Sequence, residues 1–352
     1  MGRVTLQTVA DEVGVSRMTV SNAFSRPDQL SDALRTRILA AAEELGYCGP
    51  DPAARALVRG TAGSIGVLMT DPLSHAFTDQ VATGFLGAIT EQLAPTGMAL
   101  TLLSSATDGE LVPARDVPLD GVLIYSCDLG SAAVDWLTKR NIPLVFVDQT
   151  PVRGVPSVNV DDRSGARAAA QHLVDLGHRR VGIVAADHAG PHGVVGTADD
   201  PAEGHVTRQR LLGWTDALTP AGITPLVVRE SLDTEDRAYR SGQVLLDHDE
   251  PPTAILCWSD VMAHWVIRAA EDRGLDVPGQ LSVVGFDDSP FSRQMRPALT
   301  TVRQDVAEKG RAATKALVSA IERVRAGGAP PRPRHIVLPT ELVVRETTAP
   351  AP

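Results

Sequence analysis

Residues 4–24 read VTLQTVADEVGVSRMTVSNAF. Thr5 is a fair N-cap, and Leu6, Val9, Ala10 and Val13 follow at i, i+3, i+4 and i+7, one apolar helical face. Gly14 ends that helix, and Ser16 caps a second one whose Val20, Ala23 and Phe24 point inward. Arg17, Met18, Ser21 and Asn22 share the opposite face, which begins on an Arg and holds no carboxylate. Two short helices around a tight turn, the second with a polar outer face, predict a helix-turn-helix with its recognition helix at 17–24. An ordinary pair of surface helices would read similarly if the stretch stood alone.

The flanking residues extend the reading. Ser31 caps a third helix in which Leu34, Ile38, Ala41, Ala42 and Leu45 line one face until Gly46 stops it. Residues 1–46 therefore predict one small three-helix domain. The next stretch, DPAARALVRG at 51–60, places an N-cap Asp, a Pro at the first helical position and a Gly at the stop. A helix of about two turns is too short to persist alone in water. It predicts a linker, 47–62, that becomes helical on docking, with Arg55 and Arg59 facing phosphate and Ala54, Arg55 and Leu57 at the minor groove, Leu57 as the wedge. A plain interdomain linker fits the same letters.

The chain has 352 residues, 43% hydrophobic and 22% charged, a multi-domain globular composition. No apolar run approaches the roughly 18 residues of a membrane helix, and the N-terminus lacks the apolar region of a secretory signal, so a cytoplasmic location is expected. Three widely spaced cysteines with no CxxC fit reduced thiols rather than disulfides or zinc. Residues 1–60 balance seven Arg against seven Asp or Glu, so the whole net charge of −10 lies in the remainder. An acidic body repels phosphate, and a neutral reading head then needs a second copy to bind DNA well.

From Ser64 onward short apolar runs alternate with amphipathic stretches. The runs at 65–69, 99–103, 122–125, 144–147, 181–185, 226–228, 254–257 and 281–286 predict strands, and 79–94, 131–140, 163–176, 208–219, 235–248 and 260–273 predict helices. Repeated βα units call for parallel sheets covered by helices, and about 290 residues exceed one core, so two lobes follow. Residues 187–206, DHAGPHGVVGTADDPAEGHV, show no helix or strand period and read as a surface insertion. Residues 327–334, GGAPPRPR, read as a connector to a last strand at 335–338, and no leucine heptad follows. His178 and His264 read as helix-end or surface residues. No Gly-rich phosphate loop, G-x-S-x-G elbow or metal motif is present, so neither an enzyme nor a cofactor is expected.

On these residues the chain resembles the LacI/GalR family of bacterial transcriptional regulators. VTLQTVADEVGVSRMTVSNAF is similar to the family headpiece and DPAARALVRG to its hinge helix. LGHRRVGIVA, TRQRLLGW, VVGFDDSP and PALTTVRQD match further landmarks in order, over nearly the whole length. The resemblance implies an all-α helix-turn-helix headpiece on an α/β two-lobed, periplasmic-binding-protein-like core with parallel sheets and three crossovers. The N-lobe is expected at 63–160 and 290–326, and the C-lobe at 161–289 and 327–352. The implied function is a repressor, acting as a homodimer on a palindromic double-stranded DNA operator under control of a small molecule, a sugar. A nucleobase- or nucleoside-responsive co-repressed regulator is the alternative, and a solute-binding protein without a DNA role is less favoured because of the headpiece.

The resemblance also implies sites. Arg17, Met18 and Asn22 would face base edges, where Arg suits guanine, Asn suits adenine and Met offers only apolar contact. Thr8, Ser16, Thr19 and Ser21 would hold phosphates, and Leu57 would enter the minor groove. Arg208 and Asp287 match effector-binding positions and would converge between the lobes. Phe77 falls where some relatives stack a ring, though it fits a core position equally well. Asp71, Ser74, His75 and Asp148 follow strands and would line the same cleft. Many members carry Asn-Asp after the strand ending here at Cys257, where this chain has Trp258-Ser259-Asp260. Ser259 cannot make a bidentate amide contact, and Trp258 could stack or pack, so the departure leaves the ligand class open.

Overall fold

A computed structural model describes residues 4–49, 60–69, 73–105, 111–187, 193–195, 204–230, 235–329 and 332–352. The chain divides into two compact units, 1–63 and 64–352. In the first, α1 spans Leu6–Val13, α2 Arg17–Ser25 and α3 Asp32–Glu44. The three expected caps form: Thr5, Ser16 and Ser31 each accept from a backbone N–H three residues on, and Gly14 closes α1 in the left-handed conformation. Val9, Ala10, Val20, Ala23, Ile38 and Ala42 make the buried core. Phe24 is only half buried and meets Tyr47 edge-on, centroids 5.8 Å apart.

The second unit holds two sheets. One has six parallel strands in the order β12-β5-β4-β3-β1-β2, with β1 Ser64–Met69, β2 Ala99–Ser104, β3 Gly121–Tyr125, β4 Leu144–Val147, β5 Ser157–Val160 and β12 His335–Leu338. The other has the order β13-β11-β10-β9-β6-β8-β7. It comprises β6 Val181–Ala186, β7 Gly193–Val195, β8 Leu226–Glu230, β9 Ala254–Cys257, β10 Ser282–Asp287, β11 Thr300–Gln304 and β13 Thr340–Val343. Only its edge strands β7 and β13 pair antiparallel. Apolar clusters fill both faces of each sheet, as the near-continuous apolar strand runs require.

The nine strands expected from Ser64 onward, 335–338 included, and the six expected helices are all present, with ends moved by up to three residues. Four strands, the one-turn helix Pro113–Asp116 and the long helix Val306–Arg325 lay outside the expectation. They correct the lobe boundaries. β11 belongs to the second sheet, while the helix after it packs on Gln80–Leu93 and β3–β5 of the first, so the second crossing falls at Asp305 rather than at 289/290. β12 joins the first sheet beside β5 and β13 the second beside β11, so the third crossing is the single residue Pro339 rather than 326/327. The first crossing lies near 161 as expected. The 187–206 insertion carries the short strand β7, and its end, from His205, starts the next helix.

His178 also departs from expectation. It is buried, with Nδ1 2.8 Å from Thr253 Oγ1 and Nε2 3.1 Å from both Ser282 Oγ and the Ala349 carbonyl. It therefore ties the tail to the second lobe; burial lowers its pKa, against the pull of the Ala349 carbonyl. Asp288 serves the same lobe: its buried carboxylate accepts from Arg345, Arg303 (2.7 Å) and Arg293 (3.0 Å). Of the cysteines, Cys48 is exposed and Cys127 and Cys257 are buried, all as free thiols.

The helices Asp162–Asp175 and His205–Leu218 pack against each other at Gly213. A Cβ there would lie 2.2 Å from the Arg163 carbonyl oxygen. Gly213→Ala gains about 1 kcal/mol of helix propensity, but it must separate two packed backbones. A net loss of about 1–3 kcal/mol is expected in urea unfolding; an unchanged midpoint would show that the helices part without cost.

Candidate functional site

On the headpiece, Arg17 and Met18 stand exposed on the first turn of α2, Met18 to 69%. Asn22 is half buried one turn on, and its Nδ2 donates to Gln29 Oε1 at 3.0 Å, so a base would compete with Gln29 for that amide. Thr8 and Thr5 close a capping box. Ser16 Oγ accepts from Thr19 N at 3.1 Å and lies 2.8 Å from Thr19 Oγ1. These three proposed phosphate contacts thus already hold helix ends, while remaining at the surface or half-buried. Ser21 is half buried on α2. Ala54, Arg55, Leu57 and Arg59 lie outside the described residues.

In the core, one chain of buried polar groups crosses from lobe to lobe. Arg210 sits on the inward face of the His205–Leu218 helix. Its Nε donates to Asp162 Oδ1 at 2.9 Å, Nη2 lies 3.6 Å from Asp287 Oδ1, and Nη1 donates to the Trp258 carbonyl. The guanidinium lies over Phe286, 3.6 Å from its centroid, and 4.9 Å from that of Trp258. Gln304, at the second crossing, donates to Asp287 Oδ1 (2.7 Å) and accepts from Lys309 Nζ (2.9 Å). Lys309 in turn donates to Asp148 Oδ2 at 2.5 Å and stands 5.7 Å from the Tyr125 ring, which stacks on Phe85. Asp162, Arg210, Lys309 and Asp148 are all buried.

The surroundings set the charge states. Burial pushes the Asp287 carboxyl well above its ordinary range, against the opposing pull of Arg210. Burial likewise raises Asp162 to about 6, again opposed by Arg210. His205 spans the lobes at the same level, its Nδ1 3.3 Å from Thr150 Oγ1 and its Nε2 3.4 Å from Asn159 Nδ2; burial lowers its pKa, against the charge of Asp148. Among the described residues, five non-glycines take positive φ, and four of them, Ser126, Asp148, Asp287 and Asp288, lie at the ends of β3, β4 and β10. Strain of this kind persists where the surroundings over-determine it, as binding sites do.

Against this geometry the sequence expectations divide. Asp148, Asp287 and Trp258 meet on or beside the chain. Arg208 does not converge with Asp287: it is exposed on the first turn, and Arg210 occupies the place expected for it. Helical period carries the reason, since Arg210 shares the buried stripe of Thr207, Leu211 and Trp214, whereas Arg208 lies with exposed Leu212. Ser259 caps the Asp260–Glu271 helix, accepting from Met262 N at 3.1 Å. Phe77 is 69% exposed, so it is not core, and Ser74 is exposed beside it. His75 opens the short 3-10 turn 75–77, and Asp71 lies outside the described residues.

Residues 5–49 match the model of bacterial regulatory proteins of the lacI family, and residues 170–348 match a periplasmic binding protein-like domain. An HTH-type transcriptional regulator of Mycolicibacterium smegmatis is 38% identical over 329 residues, 88% of this chain and 89% of that one. The chain belongs to the LacI family. This LacI-family protein is a DNA-binding transcriptional regulator with a ligand-binding core, and not an enzyme. Among solved structures, the lac repressor dimer bound to operator and the anti-inducer ONPF superposes with a TM-score of 0.75 at 28% identity, over 99% of this chain and 100% of that one. The complex of the transcriptional regulator CelR with cellobiose gives 0.68 at 27%, over 98% and 100%. Among the described residues no helix is long and apolar enough to cross a membrane.

The raised Asp162 pKa of this LacI-family core has a measurable sign. The folded core holds the Asp162 proton more tightly than the unfolded chain does. Its contribution to stability is therefore complete below the ordinary carboxyl range and is lost as pH rises through about 6. In urea unfolding, the wild-type chain should lose about 2 kcal/mol relative to Asp162→Asn between pH 4.5 and 7. A difference that stays constant with pH would place the Asp162 proton in its ordinary range.

Proposed function

We propose that this regulator is a repressor whose affinity for a palindromic operator is set by a sugar bound where the two lobes meet. The observation that carries the reading is the buried chain Asp162–Arg210–Asp287–Gln304–Lys309–Asp148, which runs from one lobe into the other. A ligand that makes contacts there stabilises one lobe arrangement over another by its difference in affinity for the two, and that difference is the energy available for control. Two headpieces of a cytoplasmic homodimer read the two operator halves, with Arg17, Met18 and Asn22 toward bases and Leu57 of each linker in the central minor groove. The likeness to the lac repressor on its operator and to the CelR–cellobiose complex supports both halves of this reading.

Two experiments test it. An operator selected from a random duplex library with full-length protein should be a palindrome. On it, Arg17→Ala should cost about 1–3 kcal/mol and relax the preference at one position per half-site. Equal loss on every sequence would make Arg17 a phosphate contact. Arg210→Ala should leave the headpiece folded but abolish the effect of any active sugar on operator retention in a gel. A variant that still responds in full would remove the interlobe chain from the mechanism.

A further inference from the structure

The helix His205–Leu218 of the second lobe begins with a residue that touches the first lobe. The His205 ring lies between two side chains there. Its Nδ1 is 3.3 Å from Thr150 Oγ1, beyond the end of β4, and its Nε2 is 3.4 Å from Asn159 Nδ2 on β5. Asn159 decides which ring nitrogen carries the proton. Its Oδ1 accepts from Gln149 N at 3.1 Å and its Nδ2 donates to the Gln149 carbonyl at 2.8 Å, so turning the amide over would break both bonds. The other N–H of Nδ2 is thereby presented to His205 Nε2, which has to accept. The neutral Nδ1–H tautomer meets that demand, with Nδ1 donating to Thr150 Oγ1.

A proton added at Nε2 would set one N–H against another. The position of the ring in its helix acts the same way, since the first turn carries the positive end of the helix dipole. The ring is half-buried against buried Asn159, and burial lowers its pKa from the ordinary 6.5. The charged groups around it do not reverse this. Asp148, just after β4, favours the charged form, but its carboxylate is held by Lys309, and Arg208 on the same helix opposes it. Asp187, just after β6, accepts from the Gly204 N–H at 3.3 Å, and Asp162 on the neighbouring helix is paired with Arg210. When the lobes part, the ring leaves Asn159 for water, and its proton affinity returns to that of an ordinary histidine. Thr150 is exposed, so solvent protons reach the ring without unfolding.

We propose that His205 is a proton-sensitive latch between the lobes: as the neutral Nδ1–H imidazole it ties Thr150 and Asn159 of the first lobe to the helix of the second, and a solvent proton taken up at Nε2 releases it. The parted arrangement binds that proton more tightly, so acid favours it. The latch therefore supports the joined arrangement in full above pH 6.5. Below that, the ratio of joined to parted falls by up to about tenfold per pH unit, until the ring is protonated within the junction as well. The latch stands on the geometry of the junction alone. Only its effect on DNA binding rests on the reading that lobe arrangement controls operator affinity.

Side-chain nitrogen NMR of the full-length chain reads tautomer and titration together, with His205→Gln to assign the resonance. His205 should appear as the Nδ1–H form near neutral pH and titrate below 6.5. Small-angle scattering should show a radius of gyration that rises in the wild type between about pH 7.5 and 5.5. His205→Gln, which takes up no proton there and still offers Asn159 an acceptor, should rise less. Asp162 titrates in the same window in both chains, so the difference between them is the measure. An Nε2–H tautomer, a midpoint at or above 6.5, or equal scattering changes in the two chains overturns the latch. Retention of the selected operator should change with pH more in the wild type than in His205→Gln. Equal changes there, with tautomer, titration and scattering as expected, leave the latch standing and overturn the lobe-controlled reading.

Discussion

A guanidinium taken out of water is the constraint on which the core depends. The effective cost of burying an ion is several kcal/mol, and Arg210 is almost wholly buried. It remains tolerable because two carboxylates, a backbone carbonyl and two aromatic faces surround it. Those groups come from three separate parts of the chain: the start of the Asp162–Asp175 helix and the ends of β9 and β10. Their positions follow from the sheet order, and the sheet order brings Gln304 beside them just where the chain leaves the second lobe. The same requirement then repeats in the first lobe with Lys309 and Asp148. Two buried cations, each needing its anion, are joined by one amide that donates to one side and accepts from the other.

How much of this was legible in the letters depended on the physical signal. Capped, periodic helices were plain, because Thr5, Ser16, Ser31 and Gly14 state where backbone hydrogen bonds begin and end. Long apolar strands were equally plain. β5 and β11 were not, since SVNV and TTVRQ are short and half polar. Apart from Arg303 their polar side chains are buried but satisfied by partners distant in sequence, among them Asn159 with the Gln149 backbone and Thr301 with Asp260. The Val306–Arg325 helix is written in the letters as plainly as the others, for its period is regular and its first turn is capped by Asp305.

The site was legible in kind and not in detail. An Arg and an Asp were expected to meet between the lobes, and Asp287 does meet an arginine. The choice between Arg208 and Arg210 turns on which face of one helix packs on the sheet, and that face could be counted from Leu211 and Trp214. Ser259 shows the opposite limit. Its place after a strand suggested a ligand contact, whereas the helix that begins there needs its hydroxyl as a cap. Lys309 carried no motif at all, Gln304 stood in the landmark PALTTVRQD without an assigned role, and only the crossover at Asp305 brings the two to the chain.

The exchange of the last two strands has a temporal consequence. β12 completes an edge of one sheet and β13 an edge of the other, with Pro339 alone between them. A ribosome therefore releases a headpiece that can close early, from contacts within its first 49 residues, followed by two lobes that both lack an edge strand until residues 335–343 emerge. During that interval β5 and β11 present unpaired edges, the situation in which strands associate wrongly. Completion of both lobes is thereby tied to nearly the same moment of synthesis, so a truncated product would carry a reading head without a finished core to control it.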